Sequence, residues 1–211
     1  MITIHHLGVS QSDRIVWLME ELGLPYELEW YHRGADQLMP PEYAALHPAS
    51  TAPVIDDGDV RLAESAVILE YICHRYADGR LTVSPKQQLN YVEYLYWMHF
   101  NNNVQGLFFA KYALLAQAGP DGAKAIPGFI TRREDGYYRY LDRRLGQSPY
   151  LAGPDFTCAD IMVTFNLTSL PLFGGRTIAD LPNVQAYVKR IEQRPAYVKA
   201  MKIAGPSAVA P

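Results

Sequence analysis

Cysteine is the residue this sequence nearly does without. Only Cys73 and Cys158 occur, far apart in the chain. Two such residues give no disulfide framework, which fits a reducing compartment. No Cys-x-x-Cys is present, which argues against a dithiol redox mechanism within the chain. An excess of charge of one sign is missing too. Nineteen Lys and Arg against 22 Asp and Glu leave a net charge of −3, too mild to point to nucleic acid or an anionic membrane as partner. No apolar run is long enough to span a bilayer. The opening Met1-Ile2-Thr3-Ile4-His5-His6 has no basic region ahead of an apolar stretch, so no signal peptide is expected and the chain reads as cytoplasmic. Repeats and low-complexity segments are absent. What remains is 49% hydrophobic and 19% charged over 211 residues, enough for one large or two small domains with real cores.

The stretch from Thr51 to Ser65 is where a site is most legible. Val54-Ile55-Asp56 and Val60-Arg61-Leu62 read as short strands, and Asp57-Gly58 between them is a hairpin signal because Gly tolerates positive φ. Pro53 opens the first strand, a place where the missing N–H breaks no ladder bond. A cis peptide after Ala52 would leave the Ala52 N–H and C=O facing outward for a ligand. The hairpin runs into Ala63-Glu64-Ser65 and then an apolar helical pattern. Glu64 and Ser65 are expected to cap that helix, whose N–H groups can also hold an anion.

Taken in order, Ile2–Leu7 is a β-rich run and residues 8–13 a loop. Ile15, Leu18, Met19 and Leu22 recur at helical spacing, and Gly23 and Pro25 stop that helix. Tyr26 to Trp30 alternates like a half-buried strand. A polar segment follows, broken by Pro40, Pro41 and Pro48, with a short helix near Glu42–Leu46. After the hairpin, Val67, Ile68, Tyr71 and Ile72 mark a helix ending near Asp78-Gly79. This βαβ unit followed by ββα predicts a compact α/β module over 1–80, and Pro85 marks a linker over 81–87.

The remainder, 88–211, reads as all-helical. Leu89, Val92, Tyr96 and Phe100 form one stripe, with Tyr91, Tyr94 and Trp97 on neighbouring faces. Gly119-Pro120-Asp121-Gly122 is a turn, and Pro127-Gly128 a further break. Tyr138, Leu141 and Leu145 mark another helix. Thr157 and Asp160 form a capping box with Asp in the usual Glu/Gln place. Val184, Tyr187, Val188 and Ile191 follow from Pro182. A short helix near Ala196–Ile203 closes the chain. The aromatics on the first long helix, with Asn101 and Tyr112, either line a pocket or fill the core or a dimer interface; helical spacing alone does not separate these. His5 and His6 lack metal-ligand companions at useful spacing, so no metal is expected.

An α/β module with a proline-led hairpin joined to a helical domain resembles a cytosolic glutathione transferase. The resemblance rests on His5-His6-Leu7 through Ser10-x-Ser12-x-Arg14-Ile15-Val16-Trp17-Leu18, then Glu20 to Glu27, then His47-Pro48, Ala52-Pro53-Val54, Leu62-Ala63-Glu64-Ser65, and Thr157-Cys158-Ala159-Asp160. It covers nearly the whole chain and is similar to bacterial and fungal members.

It implies a thioredoxin-like domain that binds glutathione as co-substrate, with no other cofactor, and an all-α domain that supplies the second-substrate pocket, here placed at Tyr94, Trp97, Asn101 and Tyr112. Ala52 beside a cis Pro53 would pair with the cysteinyl backbone of glutathione, with Thr51 adjoining. Glu64 would meet the γ-glutamyl ammonium and Ser65 its carboxylate. Ser10 stands at the family's catalytic serine place, donating to the sulfur, and Ser12 is the competing candidate. No Tyr occurs between Met1 and Tyr26, and no Cys on this strand or loop, so the resemblance is to the serine type. It further implies a homodimer that conjugates glutathione to small hydrophobic electrophiles in detoxification. Glutathione-dependent peroxidase or disulfide reductase activity, and a non-catalytic binding or scaffold role, are the alternatives. Two departures stand out. Many relatives carry Lys where Thr51 stands and Gly where Ser50 stands. A neutral Thr51 makes a weaker contact to the glycyl carboxylate, and Arg33 is the candidate substitute.

Overall fold

The computed structural model describes residues 1–118, 126–173 and 175–210. The turn expected at Gly119 to Gly122 lies outside them. The chain forms two compact units, residues 1–82 with 191–211, and residues 83–190.

In the first unit, strand β1 (Ile2–Leu7), helix α1 (Asp13–Leu22), strand β2 (Tyr26–Tyr31), the one-turn α2 (Pro41–Ala44), strands β3 (Val54–Asp57) and β4 (Val60–Ala63) and helix α3 (Ser65–Tyr76) follow one another. The sheet order is β2-β1-β3-β4. β1 runs parallel to β2, with Ile2 opposite Tyr26, and antiparallel to β3, with His5 opposite Val54. Parallel pairing needs a crossover, which α1 supplies. Ile4, Ile55, Ile15, Leu18, Ile68, Leu69 and Ile72 are buried together as its apolar interior, each contributing roughly 1.5–3 kcal/mol on burial. Gly23 ends α1 at φ 67, the left-handed stop that Gly adopts without cost. The hairpin turn sits one residue later than the sequence suggested. Asp57 pairs with Val60, so Gly58-Asp59 is the loop, and the positive φ of 59 falls on Gly58, its first residue.

The second unit holds α4 (Gln88–Ala118), α5 (Gly128–Leu145), α6 (Cys158–Thr168) and a 3-10 turn (Leu170–Phe173), then α7 (Pro182–Glu192), whose last residues cross into the first unit. The stripe read on α4 from Leu89 to Phe100 is not its buried side. Leu89, Val92 and Tyr96 are exposed, while Tyr94, Trp97, Met98, Asn101, Val104, Phe108 and Tyr112 are buried. Both faces of α4 are apolar, so periodicity gave no contrast to choose between them. Asn101 ties the buried side together: its Nδ2 donates to the Met162 carbonyl (3.0 Å), and its Oδ1 accepts from Tyr137 Oη (3.0 Å) and Asn166 Nδ2 (2.8 Å).

The final helix, α8 (Pro195–Ala204), groups with the first compact unit. Arg194 makes a two-pronged pair with Glu21 (2.7 Å to each oxygen), Trp17 Nε1 donates to the same carboxylate (2.9 Å), and Tyr197 meets Trp17 edge-on at 4.8 Å. A planar guanidinium on a carboxylate is a strong, directional pair.

The capping box of α6 forms as read, with both reciprocal bonds present. Asp160 is fully buried and accepts from the Thr157 N–H (2.9 Å), the Leu151 N–H (3.0 Å) and Tyr187 Oη (3.0 Å). Burial pushes its carboxyl up to about 6, while those donors pull it down. Losing a charged acceptor strands four buried donors, the Thr157 hydroxyl (3.2 Å) included, so Asp160→Ala is expected to cost about 2–4 kcal/mol, read by urea unfolding.

Candidate functional site

Three segments reach the same end of the first unit's sheet. β1 ends there at Leu7, β3 begins there at Val54, and β4 ends there at Ala63, because Val54 pairs with both His5 and Ala63. The loop carrying Ser10 and Ser12, the Ala52–Pro53 step and the Glu64–Ser65 start of α3 are the continuations of those three strands. The Ala52–Pro53 peptide is cis. Ala52 packs on the cluster of Leu7, Tyr43 and Val54.

A serine before a helix ordinarily caps it. Neither serine does so here. Ser12 occupies the N-cap of α1 without a side-chain capping bond. Its Oγ turns back to His6 Nδ1 (2.7 Å) and Ser10 Oγ (2.8 Å). Ser10 Oγ donates to the Leu7 carbonyl (2.7 Å) and accepts from the Ser12 N–H (3.3 Å). Ser10 keeps 8% of its surface exposed and Ser12 none. Of the two, only Ser10 has surface to offer a ligand.

Helix α3 starts from an unusual backbone. Glu64 holds φ 78 and ψ 114, a conformation that costs a non-glycine residue about 1–3 kcal/mol and concentrates at ligand sites. Glu64 is exposed and makes no side-chain capping bond, so the expected capping role is corrected. Ser65, the first helical residue, is buried and its Oγ accepts from Arg14 Nη1 (3.3 Å). Arg14 also holds Gln11. The guanidinium thus fastens the start of α1 to the start of α3, placing both loops on one edge. The first-turn N–H groups of α3 have no acceptor within the helix and can meet an anion.

Sequence comparison extends this geometry. Residues 10–75 match the family model described as the glutathione S-transferase N-terminal domain, and residues 108–200 match that of the C-terminal domain. A glutathione S-transferase from Actinobacillus pleuropneumoniae is 32% identical, with a TM-score of 0.84 over 98% of this chain and 95% of that one. This chain belongs to the glutathione S-transferase family. Glutathione S-transferase 3 of Schizosaccharomyces pombe is 29% identical over 93% of this chain and 85% of its own length. The theta class glutathione S-transferase of Xanthomonas axonopodis pv. citri, solved with glutathione bound, is 26% identical, with a TM-score of 0.72 over 97% and 98%. The fold inferred from sequence, a thioredoxin-like module plus a helical domain, is the family's fold.

In this transferase, Thr51 is exposed and Ser50 holds φ 47. That left-handed backbone is one Gly adopts freely and Ser adopts at a cost. Arg33 is no stand-in for the missing Lys. Its Nε, Nη2 and Nη1 donate to the carbonyls of Gly8 (3.0 Å), Val9 (3.2 Å) and Gln37 (3.0 Å). It braces the loop that leads to Ser10 instead.

The proposed second-substrate residues are interior. Trp97 stacks on Tyr140 at 5.1 Å and donates to Glu93 (3.1 Å). Asn101 is saturated by the network described above. Tyr112 donates to Glu134, which Lys111 also meets, and accepts from the Arg176 N–H (3.0 Å). Tyr94 is buried. These side chains take the core alternative that their helical spacing had left open, because they lie on the buried side of α4, which packs on α5 and α6.

Sequence reasoning missed the tie between His6 and Ser12. The only signal was a histidine near the end of β1 and a serine six residues on, across a loop. His6 is fully buried against Trp30, edge-on at 4.3 Å, and burial pushes it down to about 4. The unfolded chain protonates this group near its ordinary 6.5, the folded one near 4. Its neutral form therefore stabilises the fold fully above about 6.5, and that stability is lost as pH falls towards 4. In paired unfolding titrations, His6→Asn is expected to lose a pH slope of about 1.4 kcal/mol per unit within that window. Equal slopes in both proteins would contradict the assignment.

Proposed function

We propose that this transferase binds glutathione along Thr51, Ala52 and Pro53 and at Glu64 and Ser65, ionises its thiol beside Ser10, and transfers the thiolate to a small hydrophobic electrophile. Ala52 offers its backbone to the cysteinyl residue. Glu64 meets the ammonium of the γ-glutamyl end, and Ser65 with the start of α3 meets its carboxylate. A free thiol has a pKa of about 8.5, so at neutral pH little of it is nucleophilic until a donor stabilises the anion. The Ser10 hydroxyl is that donor. The thiol proton leaves to water, and the sulfur then forms the bond to the electrophilic carbon as the leaving group departs.

The observation that carries this reading is the convergence of Ser10, Ala52 and Ser65 on one sheet end, with a Ser10 hydroxyl that caps no helix. Glutathione in the Xanthomonas relative supports the ligand. The exposed Leu89, Val92 and Tyr96, three turn-spaced apolar side chains on α4, support a homodimer. Among the described residues no helix is long and apolar enough to cross a membrane. That and the two buried cysteines support a cytoplasmic place, with detoxification of such electrophiles as the role.

Ser10→Ala tests the chemistry. With an activated aryl halide, kcat/KM is expected to fall roughly tenfold or more, while glutathione affinity stays within about twofold. An unchanged kcat/KM would remove Ser10 from the mechanism.

A further inference from the structure

The contacts around Ser10 form a chain with a countable number of protons. Three short links run from His6 Nδ1 to Ser12 Oγ (2.7 Å), from Ser12 Oγ to Ser10 Oγ (2.8 Å), and from Ser10 Oγ to the Leu7 carbonyl (2.7 Å); the further contact of the Ser12 hydroxyl, to the Leu7 carbonyl at 3.4 Å, is too long to compete with them. Each hydroxyl brings one proton. The carbonyl brings none. A neutral imidazole brings a proton to this chain only if it sits on Nδ1. With Nδ1–H, three protons serve three links, all in one direction: His6 to Ser12, Ser12 to Ser10, Ser10 outward. With Nε2–H, two protons serve three links, and one short contact would set lone pair against lone pair. The Nε2 atom agrees with this count. It is buried without a hydrogen-bond partner, a tolerable state for an acceptor and a costlier one for an N–H. Burial holds the ring neutral, so it does not carry both protons.

We propose that His6 and Ser12 are positioning residues of the glutathione site, a buried relay that fixes the direction of the Ser10 hydroxyl and leaves its proton as the outermost one, available to sulfur. This rests on Ser10 being the thiol's donor. When glutathione binds, the Ser10 O–H turns from the Leu7 carbonyl to the sulfur, while its oxygen still accepts from the Ser12 O–H and N–H. A hydroxyl that accepts two bonds is a stronger donor, because hydrogen bonds in a chain polarise one another. No proton moves along the relay. The thiol's own proton goes to water, and the relay stabilises the anion left behind. Ser12 is wholly buried and so acts only through Ser10, which explains why two serines stand in this loop and only one reaches the surface.

The test titrates the thiol of enzyme-bound glutathione by the ultraviolet absorbance of the thiolate, alongside calorimetric binding of S-methylglutathione, which has no thiol to ionise. Ser12→Ala is expected to raise the bound-thiol pKa by about half to one unit, roughly a three- to tenfold loss of thiolate on the acid side, with S-methylglutathione affinity unchanged. His6→Leu should act in the same direction. Ser12→Thr keeps the hydroxyl, and His6→Asn places an amide N–H where Nδ1–H stood, so both should keep the pKa near the wild-type value. Should His6→Leu fail to fold, the Ser12 pair carries the result by itself. A Ser10→Ala enzyme with a raised thiol pKa, beside a Ser12→Ala enzyme with none, overturns the relay and leaves Ser10 standing. An unshifted pKa in Ser10→Ala overturns the role of Ser10 and the relay with it.

Discussion

The antiparallel pairing of β1 with β3 is the contact on which the rest depends. It sets Val54 opposite His5 and, through the hairpin, opposite Ala63. With that register, the end of one strand, the beginning of the next and the end of the third fall on one edge of the sheet. A slip by one residue would exchange the buried and exposed faces of the whole strand and separate the Ser10 loop from Ala52. The buried Ile4 and Ile55, cross-strand partners in that register, make such a slip costly. Function here is a consequence of strand alignment before it is a consequence of any single side chain.

Around that edge, several polar side chains withdrawn from water are answered by specific partners. Arg14 spans from α1 to Ser65, Arg33 collects three carbonyls, and Ser12 passes a bond from His6 to Ser10. Unanswered, each would cost about 1–3 kcal/mol. Answered, they hold the loop before α1 in one conformation without help from the sheet ladder. The helical unit solves the same problem elsewhere, with Asn101 and Asp160 as its buried hubs. In both units the polar interior fixes geometry that apolar packing would leave loose.

Much of this was legible in the residues. Asp57-Gly58 announced the hairpin to within one position, Gly23 the end of α1, and Thr157 with Asp160 the cap of α6, because these signals act over two to four residues. The serine candidates and the Ala52–Pro53 step were legible for the same reason. What stayed hidden was decided across distance or by backbone. Arg194 finds Glu21 from the opposite end of the chain, a pairing no local signal announces. The buried face of α4 was obscured by aromatics on both sides, which is why Trp97 and Asn101 read as pocket when they are core. The left-handed φ of Glu64 and Ser50 leaves no trace in composition.

The most direct test of the central claim, that this sheet end is a glutathione site, is a calorimetric titration of the purified protein with glutathione and with S-hexylglutathione. Micromolar to low-millimolar binding of both, tighter for the hexyl derivative, is the predicted result, since the hexyl chain adds apolar surface to the same peptide anchor. Absence of binding by either would contradict the account and leave a transferase fold that has given up its thiol.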